Sequence, residues 1–368
     1  MKPGETFFGN SNIVNRVSFL RNDEDFIRST LTHDSTTIII FSKGEAFLTS
    51  DASSLSTLTL GTCSPLKEIF AHHATILNKP ESRAKLTKYN LVFLGLFNDS
   101  KFTYSKKDQI YQGTPYYAID FTSTVPDFID ASTLNPISMT EIFQIGNDEA
   151  SLYSHAKMYI DWHNKFNFCP NCRAFLYPVD GGTKFRCGNP DKDVVCNVRD
   201  ARVNNVCFPR TDPVVIVILT NATRDKICLV RTKRRVHNKY IMYSNVAGFM
   251  EPSETIESAC TREIWEETGI RCDEVKIILS QPWPYPANLM IGCIGVVDFN
   301  NQDEVINLNH DDELMDAQWF DTTDVIKAID NYTSGFFMAF KDDIYLPGNT
   351  AVAFQLLSYV CNEYKRAI

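Results

Sequence analysis

Three glutamates set the first chemical possibility. In the segment Gly248–Ile270, GFMEPSETIESACTREIWEETGI, Glu263, Glu266 and Glu267 stand at i, i+3 and i+4. A helix there projects all three carboxylates from one side. Ser253 is expected to cap that helix, with Glu254 in its first turn where the dipole favours an anion. Gly269 is expected to end it in a left-handed conformation. Like charges gathered on one face cost helix stability unless a cation sits among them. Divalent magnesium or manganese fits, since hard ions prefer oxygen ligands. Arg262 adjoins the cluster and could orient a carboxylate. A merely solvated acidic helix would predict neither the fixed glycines nor the cap.

A second chemistry rests on sulfur. Cys169 and Cys172 form a C-x2-C knuckle; Cys187 follows after fourteen intervening residues and Cys196 after eight more. The first pair and the gap fit a four-cysteine zinc ribbon, while the second pair is looser than the usual spacing. A longer loop can still return a thiolate to the metal, because loop-closure entropy rises slowly with length. Cys196 is the expected fourth ligand, with Cys207 and His163 as alternatives. Four thiolates leave no open position for water, so the zinc is structural. Buried free cysteines or a redox pair are the competing reading.

Further on, Ser280-Gln281-Pro282-Trp283-Pro284-Tyr285-Pro286-Ala287-Asn288 packs three prolines and two aromatics into nine residues. Such a stretch is expected to be neither an ordinary strand nor a helix. Stiff aromatic walls suit stacking on a flat base or nicotinamide ring, although a purely structural loop would have the same composition.

The elements that must position these groups follow from the patterning. At 368 residues the chain has room for two to three domains. Residues 1–150 read as a β-rich domain with loops, with a hairpin formed by the run Thr36 to Phe41, a turn at Ser42-Lys43-Gly44 and the apolar stretch after it, and a strand at Leu91 to Phe97. The polar stretch Ser82 to Lys88 is expected to be exposed. Residues 151–206 hold a connecting helix, with Leu152, Ala156, Tyr159 and Ile160 on one face, and the cysteine-rich segment. Residues 207–368 alternate strands and helices, closing with an amphipathic helix at Thr350 to Tyr364, as in a mixed sheet flanked by helices. The class is therefore α/β (α+β). The formal net charge is −9, from 36 Lys and Arg against 45 Asp and Glu. That argues against a surface built for long nucleic acids or an anionic membrane, and mildly favours a small substrate over a transcript. The eleven scattered cysteines point to free thiols and an intracellular setting. Neither a signal peptide nor a membrane-spanning run is expected, and no Ser/His or Cys/His pairing for nucleophilic catalysis can be placed.

The glutamate segment resembles the Nudix box, G-x5-E-x7-R-E-U-x-E-E-x-G-U with U aliphatic. It matches at Gly248, Glu254, Arg262, Glu263, Ile264, Glu266, Glu267, Gly269 and Ile270. The resemblance implies an α/β/α sandwich, here preceded by the ribbon and the β-rich domain, and metal-dependent hydrolysis of a nucleoside diphosphate linked to another moiety. The proline-rich stretch resembles the SQPWPFPxS array of the NADH pyrophosphatase subfamily, with Tyr285 for Phe and Asn288 for Ser. Phe208-Pro209-Arg210-Thr211-Asp212-Pro213 resembles that subfamily's Tyr-Pro-Arg-x-Asp-Pro turn.

This resemblance implies cleavage of NADH or NAD to nicotinamide mononucleotide and AMP, and removal of NAD caps from RNA. It implies a magnesium or manganese shell from Glu263, Glu267, Glu313 and the Ala247 carbonyl. The base lies among Glu263, Glu266, Glu267 and Glu313. It assigns the dinucleotide pocket to Phe208, Gln281, Pro282, Trp283, Pro284, Tyr285, Pro286, Ala287, Asn288 and Ala353, and it implies a homodimer. The compartment is peroxisomal by resemblance or else cytoplasmic, because Lys365-Arg366-Ala367-Ile368 is not an S-K-L type signal. ADP-ribose, a dinucleoside polyphosphate or coenzyme A are rival substrates that the array argues against. An inactive zinc-ribbon interaction module is the rival from another class, opposed by the intact carboxylates.

Overall fold

The computed structural model describes residues 5–9, 13–201, 204, 206, 208–233 and 240–367. Cys207, an alternative zinc ligand, lies outside the described residues. Contacts divide the chain into two compact units: Asn10–Arg210, and Met1–Gly9 together with Thr211–Ile368. The long helix and the cysteine segment thus group with the amino-terminal sheet, and the first residues group with the carboxyl-terminal unit.

The carboxyl-terminal unit is built on a strand buried along both faces, Asp212–Asn221. Its residues alternate with the period of two that a strand imposes. Val215, Val217 and Leu219 enter one core with Ala259, Cys260 and Ile264 of the helix Ile256–Thr268. Ile216 and Ile218 enter the opposite core with Val325 and Ala328 of the helix Thr322–Asn331 and with Leu356, Leu357 and Val360 of the helix Val352–Ala367. Helices therefore cover both faces, giving the expected α/β/α sandwich. The strand pairs in parallel with Asn288–Val297, which pairs antiparallel with the edge strand Glu274–Trp283. On its other side it pairs with Val246–Phe249 and Lys226–Thr232, and the latter pairs with Leu314–Asp321.

The proline-rich array differs from expectation here. Ser280 to Trp283 form the end of an ordinary strand, with Pro282 opposite Leu289 and Trp283 opposite Asn288. Proline is tolerated because this is an edge strand, where a missing N–H need not break a ladder. Only residues 284–287 form the connecting turn.

In the amino-terminal unit a seven-stranded sheet carries the strands Tyr89–Phe97, Thr114–Phe121 and Thr37–Ser42 at its centre. The helices Glu24–Thr32 and Ser64–Thr75 bury Phe26, Ile27, Leu66 and Phe70 against that sheet. Asn147–Lys165 forms the long helix, and its Tyr153 ring stacks on Phe41. The stretch expected to be exposed is so at Lys85, Leu86 and Lys88, but its start is anchored: Ser82 and Arg83 are buried. Arg83 Nη2 donates to the Phe166 carbonyl at 2.7 Å and to Asn167 Oδ1 at 2.6 Å, with its guanidinium 5.0 Å above the Phe185 ring. These contacts offset part of the cost of burying the charge, while Nε and Nη1 are buried without a hydrogen-bond partner.

Candidate active site

The helix Ile256–Thr268 is capped by Thr255, whose hydroxyl accepts from the Ser258 N–H, and not by Ser253. Ser253 sits in the left-handed region at φ 72°. Glu254 lies ahead of the helix and not in its first turn. Its carboxylate takes both Nε and Nη2 of Arg262, at 2.7 and 2.9 Å, and accepts the Glu251 N–H at 2.8 Å. The Arg262 hydrogen bond foremost holds the Glu254 carboxyl down to about 2. At the far end Gly269 caps at φ 71° and its N–H reaches the Trp265 carbonyl, as the left-handed stop requires.

Arg262 turns the rest of its fork to the cluster. Nη1 donates to Glu263 Oε1 at 2.7 Å and to Glu266 Oε2 at 2.9 Å, and Nη2 also reaches the Phe249 carbonyl. One guanidinium therefore fixes three carboxylates and the incoming strand, a job that suits its planar set of donors. Gly248 is required for a related reason: a Cβ there would overlap the Glu263 carboxylate.

Glu267 is the exception. It is 5% exposed, and its Oε2 is buried with no hydrogen-bond partner. Burial foremost, then the charges of Glu263, Asp311 and Glu313, push its carboxyl up to about 8. The Ala247 N–H donates to this carboxyl and opposes the shift. Burial likewise raises Glu263. An orphaned buried oxygen under the charges of neighbouring carboxylates suits a divalent cation, which would restore the charge balance. Sequence reasoning places Glu313 here but misses Asp311, whose Oδ1 accepts the Glu313 N–H at 2.9 Å. The acidic run Asp311-Asp312-Glu313 is the signal that could have found it.

The array is braced from an unexpected direction. Thr6 Oγ1 donates to the Ser280 carbonyl at 2.9 Å, and the Phe8 ring meets Trp283 and Tyr285 edge-on at 5.7 and 6.3 Å. Gln281, expected at the substrate, is 1% exposed. Its amide donates to the carbonyls of Phe7 and Thr350 at 3.1 and 2.8 Å and accepts the Val352 N–H at 2.8 Å. It therefore ties the amino-terminal segment and the start of the last helix to the edge strand. Ala353 is also buried, within the core. Trp283, Tyr285 and Asn288 remain partly accessible, and Asn288 Oδ1 has no hydrogen-bond partner. Phe208 belongs to the amino-terminal unit, with Lys184 Nζ 5.2 Å over its ring.

The ligand atoms of Cys169, Cys172, Cys187 and Cys196 lie within 4.8 Å of one another. The Sγ pairs are 3.6 Å for Cys169–Cys196, 3.3 Å for Cys172–Cys187 and 3.8 Å for Cys187–Cys196. A tetrahedral zinc with bonds of about 2.3 Å needs sulfur separations of about 3.8 Å, so the set fits. The loose second half closes because Arg199 grips the intervening loop, reaching the Val194 carbonyl at 2.7 Å and Asp200 at 2.7 and 3.0 Å. Asp200 in turn accepts the Cys196 N–H at 3.0 Å. His163 is turned away, its Nε2 bonded to the Gly182 carbonyl at 2.6 Å.

Comparison with known proteins agrees with this geometry. A family model described as the NUDIX domain matches residues 210–339. The chain is 50% identical to the NAD-capped RNA hydrolase NPY1 of Saccharomyces cerevisiae, covering 99% of this chain and 97% of that protein. It is 29% identical to the NAD-capped RNA hydrolase of Schizosaccharomyces pombe, covering 89% and 86%. It is also 29% identical to the human mitochondrial NAD(P)H pyrophosphatase NUDT13, covering 67% and 68%. With one such relative matched over almost the full length of both chains, and the carboxylate helix inside the matched domain, the chain belongs to the Nudix hydrolase family, in the subfamily of NADH pyrophosphatases and NAD-capped RNA hydrolases.

Proposed function

We propose that this protein hydrolyses the pyrophosphate bond of NADH and NAD, giving nicotinamide mononucleotide and AMP, and cuts the same bond in RNA that carries an NAD cap. The observation that carries the reading is the buried, unpartnered Oε2 of Glu267 among the charges of Glu263, Asp311 and Glu313. The names of the relatives supply the substrate class.

In this reading Glu263, Glu267, Glu313 and the Ala247 carbonyl hold magnesium or manganese. When bound, the ion neutralises charge growing on phosphoryl oxygens and lowers the pKa of water. Arg262 holds Glu263 and Glu266 in place while leaving Glu267 uncommitted. One of Glu263, Glu266, Glu267 or Glu313 takes the proton of the attacking water. Trp283 and Tyr285, with Pro282, Pro284, Pro286, Ala287 and Asn288, wall the flat-ring end of the substrate, and Gln281 and Ala353 support that wall from behind. The four cysteines hold a structural zinc. The protein works as a homodimer, in the peroxisome or the cytoplasm; no helix among the described residues is long and apolar enough to cross a membrane.

Product analysis with magnesium or manganese tests this on NADH, NAD, ADP-ribose and NAD-capped RNA side by side. Nicotinamide mononucleotide and AMP are expected from the first two. Preference for ADP-ribose would overturn the substrate assignment.

A further inference from the structure

Residues 166–210 carry seven Lys and Arg against four Asp, a net of +3 in a chain whose total is −9. The fold concentrates part of that charge beside the ribbon. In the strand Lys184–Cys187, Phe185 is buried in the ribbon core, so Lys184 and Arg186 lie together on the opposite face. Tyr177 is the register partner of Arg186 across the hairpin and shares that face. These three side chains, with Arg199 and Phe208, line a cavity of about 600 Å³. Phe208 is 49% exposed, and Lys184 sits over its ring. Arg199 is bound to Asp200 and to the loop carbonyls, so Lys184 and Arg186 are the charges available to a ligand. No carboxylate lines the cavity among the described residues.

Two cations beside two accessible aromatic rings form the pattern that grips a single strand, with charge following the phosphates and rings stacking on bases. An apolar ligand would leave the two charges unmatched, and an acidic peptide would match the charges but make no use of two open rings. We propose that this cleft binds the RNA body of a capped transcript, with Lys184 and Arg186 on its phosphates and Tyr177 and Phe208 against its bases. The proposal rests on the capped-RNA reading above and adds the site that distinguishes a transcript from a free dinucleotide. It also answers the sequence expectation drawn from net charge, because a short local track suffices where a whole surface does not.

The test is the full-length Lys184→Gln/Arg186→Gln variant beside the parent protein. Fluorescence anisotropy with an uncapped single-stranded RNA of about ten nucleotides measures the cleft without hydrolysis. Binding is expected to weaken about tenfold or more. Its log–log salt slope should shrink by about 1.4, at roughly 0.7 for each of the two phosphates no longer neutralised. On NAD-capped RNA the KM should rise by a similar factor, while kcat/KM on free NAD stays within about twofold. Unchanged RNA affinity, or equal losses on both substrates, would overturn the proposal. Should the double variant lose its metal, Arg186→Glu alone, at an exposed position, must show the same direction. RNA binding through the cleft without hydrolysis of any capped RNA would keep the cleft and remove the proposed function.

Discussion

In the ribbon, four sulfurs face one another within 4.8 Å, and what fixes them lies outside the cluster, in Arg199, Asp200 and the hairpin. On the box helix the fixing group lies inside. Arg262 binds Glu254, Glu263 and Glu266 directly and leaves Glu267 Oε2 buried without a partner. The first arrangement is closed: each ligand atom is turned toward its peers and nothing remains for a substrate. The second is left unsatisfied, which costs stability in the absence of an ion and leaves room for chemistry in its presence. A cluster of metal-type side chains thus reads as structural or catalytic according to where its supporting contacts fall.

Glu267→Gln puts this contrast under the greatest strain. Turnover should fall by about a thousandfold or more, roughly 4 kcal/mol of barrier, with zinc content unchanged and the unfolding midpoint of the metal-free protein no lower. Near-normal hydrolysis would sink the assignment of the box. Cys196→Ser should act oppositely: metal analysis should show the zinc lost and the melting temperature should drop on the order of 10 °C. If that variant kept its metal, Cys196 would not be the fourth ligand.

Smaller effects probe what supports each site. Phe8→Leu keeps most of the buried volume but removes the edge-on ring contacts to Trp283 and Tyr285. The KM for NAD should rise several-fold, by about 1 kcal/mol, with kcat little changed; an unaltered KM would separate the amino-terminal segment from the pocket. The ribbon's own unit should also be sensitive to acid. Burial foremost pushes His73 down to about 4 and His163 down to about 3. Their folded values lie below the unfolded value of about 6.5, so the unfolded chain gains protons first. Their contribution is present above about pH 6.5 and is lost as pH falls toward about 4, at up to about 1.4 kcal/mol per pH unit for each histidine. Urea midpoints between about pH 7 and about pH 4.5 should show that slope, and His73→Phe should reduce it by about a third, because His155, which burial also pushes well below its usual value, shares it with His163.

Much of the box helix is readable from residue order, because its determinants are local. Glu263, Glu266, Glu267, Arg262 and Gly269 interact within two turns, where spacing alone sets who meets whom. The cap falls two residues from the expected place because Ser253 and Thr255 are both competent cap types, and only the turn geometry selects Thr255. Gln281 reads as a substrate contact in the sequence because its partners, Phe7, Thr350 and Val352, are remote along the chain. Arg83 reads as exposed for the same reason, since its carbonyl partner at Phe166 lies 83 residues on.

Residue types and spacing thus point to the kind of chemistry: oxygen ligands on one helix face, sulfur ligands in a ribbon, and a proline-rich aromatic array. Three outcomes wait for the folded chain: which carboxylate oxygen is left without a partner, which polar side chains are consumed as braces, and which cations share a cleft with exposed rings. Those outcomes depend on burial and on contacts between residues far apart in sequence. Local periodicity carries no information about either.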